Sequence, residues 1–317
     1  MSTPAAIPEP VCEDSTRFPT NHLWFLAYCL VSLLLFRKSL TALLTLAWRD
    51  DSYTHLPLIP LICVALILFR RRRIFRDSQG HRLPGILLAI AGIIVTSLTP
   101  AQATSQETAL PMAVFGIVLI WIGGFISFYR TGPFNAALFP LALLLLFIPL
   151  PRPLVESAQV MLQRASAEVT YLLFRLAGTP VFRQGFQFSL PGFDIEVARE
   201  CSGIRSTIAL LITDLVLSYL FLRSAWRRAS LVILTIPIAI FKNALRIASM
   251  SWLGIYVSKD YLYGDVHRFG GLPVTAIALL LVIPALLLLQ RPEQRRLAPS
   301  TPPTAHGPVP PVSSPIE

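Results

Sequence analysis

Long apolar runs, each closed by arginines, prolines or a short polar turn, recur along the chain and set its reading. The first begins near Leu23 and continues through Trp24 to Phe36, where Arg37 and Lys38 interrupt it; a second apolar piece, Ser39 to Trp48, follows. This pattern fits either one long tilted helix or a span followed by an interfacial piece, and Trp48 suits an interface anchor. Asp50, Asp51, Tyr53 and His55 form a polar turn. Further spans are expected at about Leu56–Phe69, Leu83–Leu98, Leu110–Phe128, Phe134–Leu150, Ser206–Leu222, Leu231–Tyr256 and Leu272–Leu289. At about 1.5 Å of rise per residue, runs of this length approach or cover an apolar slab roughly 30 Å thick.

Between Pro151 and Glu200 the pattern changes. Leu154 to Leu176 carries Glu156, Gln163, Arg164, Glu168 and Arg175 among apolar residues, which predicts an amphipathic helix. Residues 181–190 then alternate polar and apolar, Pro191 and Gly192 follow, and Phe193 to Ala198 resumes the alternation. Strand, turn, strand is the natural reading, a small β-hairpin leading directly into Cys201. The expected fold is therefore an all-α polytopic membrane protein of about eight transmembrane helices, with the amphipathic helix and hairpin on its outer face. Its parts are a cytoplasmic tail, 1–22; a transmembrane domain, 23–290, with an extracytoplasmic segment at about 151–200; and a Pro- and Ser-rich disordered cytoplasmic tail, 291–317.

Charge supplies the orientation. Loops on the cytoplasmic side carry an excess of Lys and Arg, so Arg70–Arg73 marks that side. Eight crossings that start inside put Arg130, Arg223 to Arg228 and Arg291 to Arg296 there too, and only Arg37 and Lys38 dissent. The opposite, extracytoplasmic face then holds the amphipathic helix, the hairpin, Cys201 and the loop bearing His267.

Composition agrees with this reading. Across 317 residues, 54% are hydrophobic and 14% charged, too little polar surface for one water-soluble domain. The net charge of +10 is accounted for by basic clusters at the ends of apolar runs, with no need of nucleic acid as partner. The start, Met1 to Thr20, is polar and lacks a cleavable-signal pattern, so the first run is expected to act as an uncleaved anchor. The four cysteines form no CxxC pair, which argues against metal knuckles and thioredoxin-like redox chemistry.

The candidate chemistry lies at Glu200-Cys201-Ser202-Gly203-Ile204-Arg205, where a polar stretch runs into a long apolar helix. A cysteine attacks as its thiolate, which a helix N-terminus and nearby Arg or His⁺ favour. Arg205, about one turn beyond Cys201, shares its helix face. Arg246 lies roughly 22 Å above the start of its span, in the outer third, and His267 lies in the outer loop before the last span. Cys201, Arg246 and His267 are thus expected in one layer as nucleophile, oxyanion or substrate stabiliser, and general acid/base. Asn243 and Lys242 extend a polar stripe before Arg246, and an ionisable group inside a span is a functional candidate. Each residue taken singly has a plainer reading: Cys201 as a packed small residue, Arg246 as snorkelling, His267 as a solvated loop histidine, His55 as an interface residue. Asp214, deep in its span, suits either a polar packing partner or a structural role. No spacing rule supports zinc on Cys201, Asp265 and His267, and no cofactor is implied.

These stretches resemble the exosortase/archaeosortase family of membrane-embedded cysteine transpeptidases. The resemblance rests on Glu200–Arg205, on Asn243-Ala244-Leu245-Arg246-Ile247 and on Asp265-Val266-His267-Arg268-Phe269-Gly270; Tyr53-Thr54-His55-Leu56-Pro57-Leu58-Ile59-Pro60 looks like the family's early motif, where serine often replaces Thr54. The resemblance implies a catalytic trio on Cys201, Arg246 and His267, with Arg205, Asn243, Ser202, Glu200 and His55 in support. The histidine at the third position makes the chain look bacterial, which implies residence in the cytoplasmic (inner) membrane. It also implies substrates that are exported proteins with a C-terminal tail: a short signature such as Pro-Glu-Pro, an apolar helix and a basic cluster. The acceptor would be water, a glycan or a lipid amine. Two other classes remain as alternatives on the residues alone: a polytopic transporter whose path is lined by Lys242, Asn243 and Arg246, and a membrane acyltransferase working through a cysteine thioester.

Overall fold

The computed structural model describes residues 20–75, 81–99, 106–129, 136–198, 202–258 and 271–297. The chain divides into two compact units, neither continuous in sequence: Met1–Arg164 with Ala198–Ile208, and Ala165–Val197 with Ala209–Glu317.

In the first unit the opening apolar run forms two helices, α1 (Thr20–Leu35) and α2 (Arg37–Arg49). They meet at Phe36 with a 76° bend, so the run is broken where Arg37 and Lys38 interrupt it. A 3₁₀ turn, Asp51–Tyr53, leads into α3 (Leu58–Phe69), and the arginine run folds as one short turn, α4 (Arg71–Ile74). Two apolar helices follow, α5 (Leu83–Leu98) and α6 (Gln106–Tyr129). They pack antiparallel in backbone contact. A Cβ built on Gly92 would lie 2.6 Å from the carbonyl oxygen of Gly116, and one on Gly123 would lie 2.5 Å from both the Ala89 nitrogen and the Gly85 oxygen. Small residues permit such close approach, and lipid, as apolar as leucine, offers no hydrophobic drive to replace it. α1 lies along α6: Tyr28 donates to the carbonyl of Ile120 at 2.8 Å, and Trp121 Nε1 donates to Ser32 Oγ at 2.8 Å. Phe25 meets Phe125, Phe128 and Tyr129 edge to face, and Phe125 and Tyr129 pack tilted, with ring centroids 4.8 to 5.9 Å apart.

The run expected to span at Phe134–Leu150 does not form one straight helix. α7 (Leu138–Leu143) gives way to a 3₁₀ segment, Leu144–Phe147, and the chain turns by 93° into α8 (Arg152–Leu176). Pro149, Pro151 and Pro153 account for the stop, since proline cannot continue the preceding helix. α8 matches the expected amphipathic helix, and the unit boundary falls within it.

The second unit starts with the latter half of α8 and a three-stranded antiparallel sheet in the order β1 (Phe182–Gln184), β2 (Gln187–Leu190), β3 (Phe193–Glu196). This corrects the expected two-stranded hairpin. Gly185, at φ +64°, turns the chain inside the first alternating stretch, and Gly192, at φ +91°, turns it again. Phe188 is fully buried against Phe174 of α8, with ring centroids 5.9 Å apart. Arg183 pins the other side: its guanidinium bonds Glu168 at 2.8 Å, donates to the Gly185 carbonyl at 2.9 Å and lies over the rings of Tyr171 and Phe188. That guanidinium holds the exposed Glu168 carboxyl below the usual carboxylate range.

α9 (Ile204–Phe221), α10 (Ala225–Tyr256) and α11 (Gly271–Leu297) complete the chain. Leu210, Leu222, Leu231, Ala239, Ala278, Val282 and Leu286 form their common apolar core. Among the described residues, four segments are long and apolar enough to cross a membrane, Asp51–Phe69, Ala109–Tyr129, Ile204–Phe221 and Ala225–Tyr256, and the count rises to six if each bent pair crosses once. This replaces the expected eight. The first and fifth runs are broken, and Leu83–Leu98 and Ala276–Arg291 are shorter apolar helices.

Candidate active site

Arg246 stands on α10, about two-thirds of the way along a 32-residue helix. Lys242 and Asn243 are buried, and Arg246, one turn on from Lys242, is half-buried. Asn243 is anchored: its Nδ2 donates to Ser166 Oγ on α8 at 3.0 Å. Ser166 is itself held in a ladder, because Thr170 Oγ1 donates to the Ser166 carbonyl at 2.7 Å and approaches the Ala244 carbonyl at 3.4 Å. Ser166 and Thr170 are fully buried, so α8 and α10 meet here through a dry polar seam. Interhelical bonds of this kind contribute about 0.6 to 2 kcal/mol each within a membrane. Further along α10, Ala248 joins the apolar core under the sheet, and Trp252 Nε1 donates to Thr179 Oγ1 at 3.0 Å. The arginine therefore rides on a helix clamped on both sides of it by the segment that the sequence marked as amphipathic helix and strand.

The residues around the cysteine belong to the first unit. Glu200 and Cys201 lie outside the described residues, as does His267, so of the expected trio the structure places Arg246 alone. Ser202 follows Cys201 directly; its side chain is buried and its hydroxyl has no partner among the described residues. Gly203, at φ +74°, then turns the chain into α9, and its carbonyl receives the hydroxyls of Ser206 and Thr207 at 3.0 and 2.9 Å. Arg205, in the first turn of α9, reaches Asp51 at 3.1 Å across 154 residues of sequence. Both groups are exposed, so the pair contributes little to stability by itself.

That contact joins the cysteine stretch to the turn before α3. There Asp50 Oδ1 accepts from the Ser52 amide at 2.9 Å, capping the 3₁₀ turn, and Gln159 of α8 donates to Ser52 Oγ at 3.1 Å. Tyr53 is buried and its hydroxyl donates to the Leu150 carbonyl at 2.8 Å. His55, half-buried, closes the turn, its carbonyl accepting from the Leu58 amide at 3.0 Å. The structure thus brings Arg205 and the His55 turn into one unit, and sets Asn243 and Arg246 in the other.

Sequence reasoning missed Asp51 as the partner of Arg205, and Ser166 and Thr170 as the support of Asn243. The polar turn was visible, but a pairing over such separations leaves no local pattern. Among the described residues, no group of three or more His, Cys, Asp or Glu side chains is placed to hold a metal ion. Asp214 has a partner: Thr235 Oγ1 of α10 donates to its Oδ2 at 2.6 Å.

Residues 47–284 match the family model of the transmembrane exosortases. The matched range contains the Tyr53–Pro60 turn, the Glu200–Arg205 stretch, the Asn243–Ile247 segment and Asp265–Gly270, in that order. Neither the curated proteins nor the solved structures contain a match to the chain. With well over half its length matched, and with helices fit to cross a membrane several times, the chain belongs to the transmembrane exosortases, a family of multi-pass, cysteine-type membrane transpeptidases that act on exported proteins.

Proposed function

We propose that this chain cuts the C-terminal sorting tail from exported proteins through a thioester on Cys201, then transfers or releases the trimmed protein. The reading rests on one observation above all: the family match runs over the range that holds all three chemistry-bearing stretches. In the proposed reaction the Cys201 thiol gives its proton to His267 and its sulfur attacks the scissile carbonyl. Arg246, permanently cationic, faces the oxyanion that forms. Collapse of the tetrahedral intermediate breaks the C–N bond, and His267 returns the proton to the departing amine. A second nucleophile (water, a glycan hydroxyl or a lipid amine) then resolves the thioester.

The clamped setting of Arg246 supports this role, because a stabilising cation works only when its position is fixed before charge develops. A substrate tail held by its own apolar helix would meet the enzyme in two dimensions and at a fixed depth, which supplies proximity without a deep soluble pocket. With the four long spans crossing, Arg70–Arg73 and Arg223–Arg228 fall on one side of the membrane, which supports a bacterial inner-membrane topology with the reacting groups on the other, extracytoplasmic side.

The test is processing of a tail-bearing exported protein, read by gel mobility, in cells that carry the unchanged chain or Cys201→Ala. Shortening by the unchanged chain alone is the expected result, with Arg246→Lys and His267→Ala losing activity next. Equal shortening by Cys201→Ala would reduce the cysteine to a packing residue and end this reading.

A further inference from the structure

Asp214 is a fully buried carboxylic acid in a transmembrane helix, and the proposed reaction gives it no part. The apolar core shared by α9, α10 and α11 contains Leu210, one turn before Asp214, and Leu231 and Ala239, one turn to either side of Thr235. Asp214 Oδ2 accepts the Thr235 hydroxyl at 2.6 Å, while its Oδ1, equally buried, has no hydrogen-bond partner among the described residues. Thr235 is as deeply buried, and it also approaches the Leu231 carbonyl of its own helix at 3.3 Å. A half-satisfied acid costs free energy that an apolar side chain of similar volume would avoid, so stability alone does not account for it.

What a single polar pair does supply is register. Leucine, alanine and valine seams present near-equivalent packings displaced along the helix axis, whereas one hydrogen bond in an apolar core is made in only one of them. We propose that Asp214 is a positioning residue: its bond from Thr235 fixes the axial register of α9, which begins at Ile204, against α10, which carries Arg246. This inference rests on the proposed function above. Asp214 lies roughly 15 Å along α9 from Ile204, and Thr235 roughly 16 Å along α10 from Arg246, at about 1.5 Å per residue. A slip of one residue would move one helix by about 1.5 Å against the other, and misplacement of about 1 Å costs an enzyme up to ~100-fold in rate.

The experiment uses the full chain in native membranes, with two readouts. The first is disulfide trapping of Leu210→Cys paired with Ala239→Cys, in a background without the native cysteines, with and without Thr235→Val or Asp214→Leu. Trapping needs no reaction, so it tests the register even if the proposed function fails. The expected result is efficient trapping in the parent pair and a several-fold loss, with new trapping to a neighbouring position, once either polar partner is gone. The second readout is tail processing. Thr235→Val and Asp214→Leu are expected to accumulate normally yet lose about 10- to 100-fold in kcat with KM unchanged, and Thr235→Ser and Asp214→Asn, which keep the hydrogen bond, are expected to restore both readouts. Unchanged trapping in the apolar variants would overturn the proposal, as would full activity in them beside an inactive Cys201→Ala.

Discussion

Replacing Gly92 or Gly123 by alanine tests the fold where it is most tightly built. The added methyl at Gly123 would stand 2.5 Å from two backbone atoms of α5, and that at Gly92 would stand 2.6 Å from a backbone oxygen of α6. Neither obstacle is the end of a flexible side chain, so the two helices must part by close to 1 Å. A gap of 0.5 to 1 Å already forfeits about a quarter to a half of each dispersion contact across the seam. Overpacking of this kind costs roughly 1–3 kcal/mol. Alanine returns at most about 1 kcal/mol through its better helix propensity. The expected balance is a loss of about 1–2 kcal/mol for each variant, read as a lowered midpoint of thermal unfolding in detergent. The double variant should lose less than the sum, because one separation of the helices accommodates both methyl groups. Single variants as stable as the parent, or more stable, would show that α5 and α6 do not touch through their backbones.

Two further expectations follow from the second unit. Ser166→Ala removes the acceptor for Asn243 and should cost about 0.6 to 2 kcal/mol, with a double-mutant cycle against Asn243→Leu recovering that coupling. The depressed Glu168 carboxyl should make stability fall on the acid side: its contribution is complete above the ordinary glutamate pKa of about 4.3 and is lost as pH drops through the lower folded value. Glu168→Gln should flatten that part of the pH–stability curve, and only slightly, because the group is largely exposed.

Apolar periodicity located α3, α5, α6 and α9 to within a few residues, since length and composition decide a membrane helix almost alone, but it missed the charged start of α10, from Ala225, and the polar end of α11, to Leu297. It overcounted crossings where composition and conformation part ways. Leu144–Phe147 is as apolar as any helix, yet the prolines just beyond it end the run in a 3₁₀ turn. The third strand was hidden for a geometric reason. A two-residue turn at Gly185 and Phe186 preserves the alternation of period two, so β1 and β2 read as one strand from Val181 to Leu190. Arg246 and Asn243 stood out because charge inside a span is costly. Their support on α8 did not, because serine and threonine in a helix carry no such signal.

The way the chain is threaded between its two units has a consequence for how the protein can be made and cut. The first unit is not complete until Ala198–Ile208 has been synthesised, after the whole sheet, and the second begins at Ala165, before the first is finished. No single cleavage of the chain yields one unit intact and the other whole. A truncation that stops before Ile208 leaves the first unit short of a segment it needs, and any split into two halves leaves at least one unit incomplete. Completion of the first unit is therefore deferred until Ile208 has been made, after the whole sheet of the second unit has already emerged.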